Sequence, residues 1–276
     1  MRRRLGLAIA AVAWAAAALA GDEPQVLLAT TTSVRDSGLL DALLPDFSER
    51  TGIRVSTVAV GSGAALRMGA EGNADLLLTH APDGEQALVA SGAVESRRPF
   101  MENHFVIAGP PEDPAGVAGA ETAVDAFRRI ARTESPYVSR GDDSGTHRRE
   151  VALLEAAGVD RDGGWPRYAQ TGGGMGLSLM VAGERRAYVL SDVGTFLAFR
   201  ERIDLAVLSK PDPELRNVYS LLRVSPKRFP GQIHADAARR LEAFFLEADT
   251  LERIAGFGRE RYGRPLFRPL SGDSPQ

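Results

Sequence analysis

Short apolar runs alternate with helical patterns through the first part of this chain, and hydroxyl residues or glycines make the joints. Residues 25–29 (QVLLA) are almost wholly apolar, as suits a parallel strand buried on both faces. Thr30-Thr31-Thr32-Ser33 follows. Leu39, Leu40, Leu43, Leu44 and Phe47 then recur at three- and four-residue spacing, which predicts a helix with Ser37 or Asp36 as its cap, Pro45 late in it and Gly52 closing it. Residues 54–60 (RVSTVAV) alternate and are rich in β-branched side chains, so they read as a strand. Gly61-Ser62-Gly63 is the turn and 64–71 the helix. Residues 74–79 (ADLLLT) predict a third buried strand and 82–90 a helix ending near Gly92. Strands and helices alternating at this spacing predict an α/β fold with a mainly parallel sheet.

Beyond residue 100 the same logic returns. Residues 100–109 are β-rich and end in Pro110-Pro111, with Pro114 and Gly116 close behind. That composition break is taken as a crossing between two lobes. An amphipathic helix is predicted over 122–131. Tyr137-Val138-Ser139 is β-like and leads into Arg140-Gly141-Asp142-Asp143-Ser144-Gly145-Thr146-His147, after which Val151, Leu153 and Leu154 mark the apolar side of a helix reaching Ala157. Free N–H groups at a helix start favour negative charge. Arg140 adds a permanent cation with a planar fork of donors, and Ser144 and Thr146 add hydroxyls. This stretch reads as half of a cradle for a small oxyanion. Gly163-Gly164-Trp165 is a turn. Residues 170–176 (QTGGGMG) precede a helical run and serve either as a loop hinge or as a wall of the anion site. Residues 187–190 predict a strand, 192–199 a short helix, 205–208 and 218–224 two strands, the second a return crossing. Residues 233–257 fit two helices, and the polar tail from Leu270 is expected to fray.

Arg2-Arg3-Arg4, the apolar run 5–19 and Ala18-Leu19-Ala20 have the layout of a cleaved secretory signal over residues 1–20. The apolar run is short of the roughly 20 residues a membrane span needs. The chain has no cysteine, which excludes disulfides, thiolate metal sites and a lipid-modified N-terminal Cys. A formal charge of −3 with no basic block argues against a nucleic-acid partner. His80, His104, His147 and His234 lack metal-ligand spacing, so no metal site is expected.

TTTS at 30–33, VGSG at 60–63, SRGDDSGTH at 139–147 and GGGMG at 172–176 occur in one order along the chain. In these motifs the sequence resembles the tungstate-binding periplasmic proteins of ABC-type importers. A more distant resemblance reaches phosphate-binding proteins. The resemblance implies a two-lobed α/β fold of the type II periplasmic binding class, with residues 21–104 and 218–276 as lobe I and 105–217 as lobe II. It implies a tungstate or molybdate dianion in the cleft, no cofactor, a membrane permease with its ATPase as partners, a monomer, and a periplasmic location without a lipid anchor. The residues it places on the ligand are Thr31, Thr32, Ser33, Ser62, Gly63, Arg140, Ser144, Gly145, Thr146 and Gly174. The chain departs from the family pattern at Glu102 and His104 and over 192–195.

Tungstate carries no proton near neutral pH and offers only acceptors, so its host should offer only donors. Asp142 and Asp143 run against that requirement. One is expected to cap the helix and the other to orient Arg140 or to pair with Arg148 or Arg149. A carboxylate turned to the ligand would instead accept a proton and favour hydrogen phosphate. A hydrolase built on Ser144 and His147 is the other alternative. A nucleophile elbow needs glycine two residues before and after the serine, and neither is present.

Overall fold

The computed structural model of the chain describes residues 24–160 and 165–270. The expected signal at 1–20, Gly163-Gly164 and the tail beyond Leu270 lie outside the described residues.

The first lobe opens with β1 (Gln25–Thr31), α1 (Thr32–Ser37), α2 (Leu39–Thr51), β2 (Arg54–Val60), α3 (Ser62–Glu71), β3 (Leu76–Thr79) and α4 (Pro82–Ala90). β1 runs parallel to both β2 and β3, so that Thr31 sits opposite Val60 and Ala29 opposite Leu77. The parallel register puts the turn after β1 and the turn after β2 at one end of the sheet, where ligands of open α/β sheets bind. The single helix expected after TTTS is two. Thr31 caps α1, accepting from Val34 N at 3.4 Å, and Gly38 at φ 79° turns the chain into α2. Neither Ser37 nor Asp36 caps α2: Gly38 holds the cap position, and Ser37 Oγ accepts only from Leu39 N at 3.2 Å. Four hydroxyl residues in a row start a helix of their own before the leucine pattern begins.

β4 (Val94–Gly109) and β9 (Arg216–Val224) join the lobes. They pair antiparallel from Val94 opposite Val224 to His104 opposite Arg216. From Phe105 onward β4 pairs instead with β7 (Tyr188–Asp192). The strand therefore changes partners in mid-run. The proline-rich break at 110–116 is not this crossing. It follows the end of β4, where Asp113 accepts from Val117 N, Ala118 N and Tyr188 Oη. A crossing strand stays extended because both sheets bond to it, so composition does not mark it.

The second lobe adds α5 (Ala123–Arg132), β5 (Tyr137–Ser139), α6 (Gly145–Ala156), β6 (Tyr168–Gln170), α7 (Met175–Arg185), α8 (Val193–Phe199) and β8 (Ala206–Val207). β5 is parallel to β6 and β7. The chain returns to lobe I along β9, and α9 (Ala235–Leu246), α10 (Ala248–Gly256), a short α11 (Arg259–Tyr262) and β10 (Arg268–Pro269) complete that lobe. The last two were not legible as elements in the sequence. Among the described residues the strand order is β2-β1-β3-β9-β4-β7-β5-β6, with β8 and β10 also on β4. Lobe I packs Val26, Leu43, Phe47, Tyr219, Leu241 and Phe245 into one core. Lobe II packs Phe127, Ile130, Tyr137, Leu153 and Leu190 into another. No helix among the described residues is long and apolar enough to cross a membrane.

Candidate functional site

The turn after β5 folds back on itself. Gly141 (φ 62°) and Asp143 (φ 55°) both take the left-handed conformation, which only glycine adopts without cost. A Cβ on Gly141 would also stand 2.9 Å from Gln170 Cβ. These two kinks turn the Asp142 carboxylate inward. Its Oδ2 accepts from an Arg140 terminal nitrogen at 2.5 Å and its Oδ1 from Ser144 N at 3.2 Å. Arg140 is 3% exposed, and its Nε has no partner. Thr146, at 1%, likewise has a hydroxyl without a partner. A buried donor left unpaired costs about 1–3 kcal/mol, and this one segment, 140–146, carries two such groups.

The helix is capped by Ser144, whose Oγ accepts from His147 N at 3.3 Å. Neither aspartate is the cap, contrary to expectation: the serine is one residue nearer the helix, and Asp142 is already committed to Arg140. Asp143 forms a two-point ion pair with Arg148, and Arg149 goes to Glu214. Thr171 and Gly172 of the glycine-rich loop hold this turn from behind, with Gly172 N donating to the Arg140 carbonyl at 2.8 Å. Gly174 itself is an exposed cap residue of α7.

Lobe I closes on the turn directly. Gly145 N donates to Ser62 Oγ at 3.1 Å. A Cβ on Gly63 would come 2.9 Å from Asp143 Oδ2, and one on Gly145 2.6 Å from the His80 ring. Thr31 Oγ1 and Ser33 Oγ lie 3.1 Å apart and are both buried. Ser33 faces the Tyr219 phenol, and the Asp192 carboxylate is near enough to both Tyr219 and Arg140 to influence their charge balance. The buried members Thr31, Ser33, Ser62, Gly63, Arg140, Ser144, Gly145 and Thr146 thus stand where the two lobes meet. Thr32 is partly exposed on the first turn of α1.

The carboxylates around the site are all engaged. Asp142 and Asp143 are taken as above. Asp192, whose pKa is pushed up by burial, caps α8 by accepting from Thr195 N at 2.9 Å and Thr195 Oγ1 at 2.7 Å. A hydrolytic relay is not assembled, because the His147 ring accepts from Asp143 N at 3.0 Å instead of facing the Ser144 hydroxyl. His80 is buried and its pKa falls to about 4, chiefly through burial and partly through the Arg140 charge, against a hydrogen bond with Asn217. It is therefore neutral at pH 7.

Sequence reasoning missed His80, Asn217, Tyr219 and Asp192. Asn217 Nδ2 donates to Asn103 Oδ1 at 2.8 Å and Tyr219 Oη at 2.9 Å, forming a polar floor on the crossing strands. An Asp-x-x-Thr cap was readable at 192–195, whereas His80 and Asn217 carry no local signal. A cavity of about 730 Å³ lies elsewhere on the seam, beside Phe196, Arg216, Leu266 and Arg268. The predicted residues are packed against one another and do not line it.

Residues 18–249 match the family model described as a PBP superfamily domain. The tungstate-binding protein TupA of Peptoclostridium acidaminophilum is 40% identical over 246 residues, covering 88% of this chain and 85% of that protein. The crystal structure of the tungstate ABC transporter from Geobacter sulfurreducens is 41% identical with TM-score 0.76, covering 84% of this chain and 98% of that one. TupA from Desulfovibrio alaskensis G20 is 38% identical with TM-score 0.78, covering 90% and 99%. With its two-lobed fold and its donor-lined turns at the lobe junction, this chain belongs to the family of tungstate-binding periplasmic proteins.

Proposed function

We propose that this chain captures tungstate, with molybdate as a second ligand, in the periplasm and hands it to an ABC permease and its ATPase. The observation that carries this reading is the pairing of two unpartnered buried donors, Arg140 Nε and the Thr146 hydroxyl, with carboxylates that are all occupied by internal donors. A fully deprotonated oxyanion meets only hydrogens there, and charge-assisted bonds are the strong kind. Hydrogen phosphate would find no free carboxylate to take its proton. The Ser62–Gly145 bond supports a hinge closure in which both lobes hold the ligand. The work of the site is binding, with export directed by residues 1–20, and the chain acts as a monomer without a cofactor.

The test is a thermal-shift panel with tungstate, molybdate, sulfate and phosphate. Ligand at a hundredfold its Kd stabilises by about 2.7 kcal/mol, roughly 5–10 °C for a chain of this size. A shift of that order with tungstate, an equal or smaller one with molybdate and little with sulfate or phosphate is expected. A shift with phosphate alone would overturn the assignment.

A further inference from the structure

One buried acid stands behind the oxyanion turn and takes no part in binding as described. Glu150 is 1% exposed and lies one helical turn beyond Thr146 on α6. Residues four apart share a face and are separated by about 6 Å of helix rise. Its Oε1 accepts from Tyr168 Oη at 3.0 Å. It also faces the backbone N–H of Arg140 and the hydroxyls of Ser139 and Tyr137. Those two hydroxyls are fully buried and form no good hydrogen bond, so the cluster is only partly satisfied. Ser139 and Arg140 are the residues that carry the chain from β5 into the turn. Glu150 therefore reaches the backbone of the residues that enter the turn.

We infer that Glu150 is a positioning residue for the oxyanion turn, and that capture of a dianion there draws a proton from solvent onto its carboxyl. This rests on the oxyanion reading above. A carboxylate ion one turn behind the anion repels it through a medium of low polarity. The neutral acid does not, and it can donate to one of the idle hydroxyls. The titratable groups facing Glu150 are the phenols of Tyr137 on β5 and Tyr168 on β6, both raised by burial and by Glu150 itself. Arg140 supplies its backbone N–H. α5 and β7 bring Phe127, Ile130 and Leu190 to the same core. Burial, set against the surrounding hydrogen bonds, raises the Glu150 pKa to about 7, so the group is poised to respond near neutral pH. The step is balanced: a carboxylate and a solvent proton become a carboxylic acid, with no other bond changed.

The experiment is calorimetry with tungstate in buffers of different ionisation enthalpy, on the native protein and on Glu150→Gln. The native protein should take up roughly half a proton per tungstate near pH 7 and lose affinity several-fold from pH 6 to pH 8. Glu150→Gln keeps a polar group beside Tyr168. It should take up none, show a flat pH profile, and bind at least as tightly as the native protein at pH 8. Glu150→Ala should bind more weakly at every pH, as expected for a lost support. Without ligand, native stability should fall relative to Glu150→Gln between pH 4.5 and 7, because the folded state holds the proton longer than the unfolded chain. Binding heat that does not depend on buffer in the native protein, or that keeps its dependence in Glu150→Gln, overturns this coupling alone. Absence of binding heat in both proteins overturns the tungstate reading and the coupling with it.

Discussion

Gly145 and Ser62 are bonded across the cleft, the backbone N–H of one donating to the hydroxyl of the other at 3.1 Å although 83 residues separate them. Ser62 spends its lone pair on the opposite lobe and keeps its own hydrogen to give. In the proposed binding mode, closure and ligand contact meet at one hydroxyl. The same closeness leaves no room at Gly145, where a Cβ would come 2.6 Å from a carbon of the His80 ring and 3.2 Å from the His80 carbonyl.

Gly145→Ala is expected to hold the lobes apart, since His80 is buried and cannot give way cheaply. Tungstate affinity should drop at least about tenfold, the equivalent of 1.4 kcal/mol. Small-angle scattering with saturating tungstate should show a larger radius of gyration than the native protein. Native affinity with native compaction in this variant would refute the contact as a closure point.

Arg140 and Asp142 act as a unit. Arg140→Lys keeps the charge but loses the fork whose Nε edge is open. Affinity for tungstate should fall about 10- to 100-fold, as for one charge-assisted bond of about 1.5–3 kcal/mol. Asp142→Asn removes the anchor on the other edge of the guanidinium and should weaken binding by about tenfold, with the fold retained by circular dichroism. If Asp142→Asn gained a response to phosphate instead, repulsion by the Asp142 charge, and not the lack of a free carboxylate for the proton, would be what excludes it.

His80 predicts a pH dependence of the free protein. Its folded pKa, about 4, is lower than the unfolded value near 6.5. The unfolded chain therefore binds more protons between those values, and stability falls as pH drops from 6.5 toward 4. This slope opposes that of Glu150, so the two must be separated by variants. In His80→Gln the loss of melting temperature between pH 6.5 and 4 should shrink. An unchanged acid limb would remove His80 as its cause.

Glu102 ties the crossing strands to the C-terminus. It accepts from Arg216 Nε on β9 at 3.0 Å and from Arg268 Nε on β10 at 3.0 Å. Burial raises its pKa, but the hydrogen bonds and charges of Arg268 and Arg216 outweigh it, and the net shift is downward. Its contribution is present above the unfolded carboxyl pKa and disappears as pH falls through the lower folded value. Both arginines are more than half exposed, so the pair is worth about 1 kcal/mol at most. Glu102→Gln should lower the melting temperature by roughly 2–4 °C at pH 7, and the gap should close in acid. An equal gap at pH 3 and pH 7 would contradict an ionic role.

The departure at Glu102 and His104 was visible in the sequence, but its meaning was not. Opposite Glu102 stand Val218 and Arg268, which are 116 and 166 residues away in the chain. By contrast, the strand at 25–31 and the strand, turn and helix at 54–71 and 137–156 were legible, because apolar period, capping residues and glycines act within a dozen positions; the short helix at 32–37 was not. That Thr31, Ser62, Arg140, Ser144 and Thr146 sit at the strand–helix joints was legible for the same reason: each belongs to the turn of its own unit.

The residues alone determined an α/β chain whose helix starts offer hydrogens and one guanidinium, since those properties belong to short stretches of backbone. Only the tertiary structure decided which carboxylates are silenced, where β4 changes partners, and which side chains stand behind the turn. Asp142 folds inward because Gly141 and Asp143 kink the backbone around it, His80 meets Gly145 only when the lobes touch, and Glu150 reaches the Arg140 backbone only because α6 shares one core with Tyr137 of β5. Such pairings join residues brought together by packing of the whole sheet, and no local period or motif encodes them.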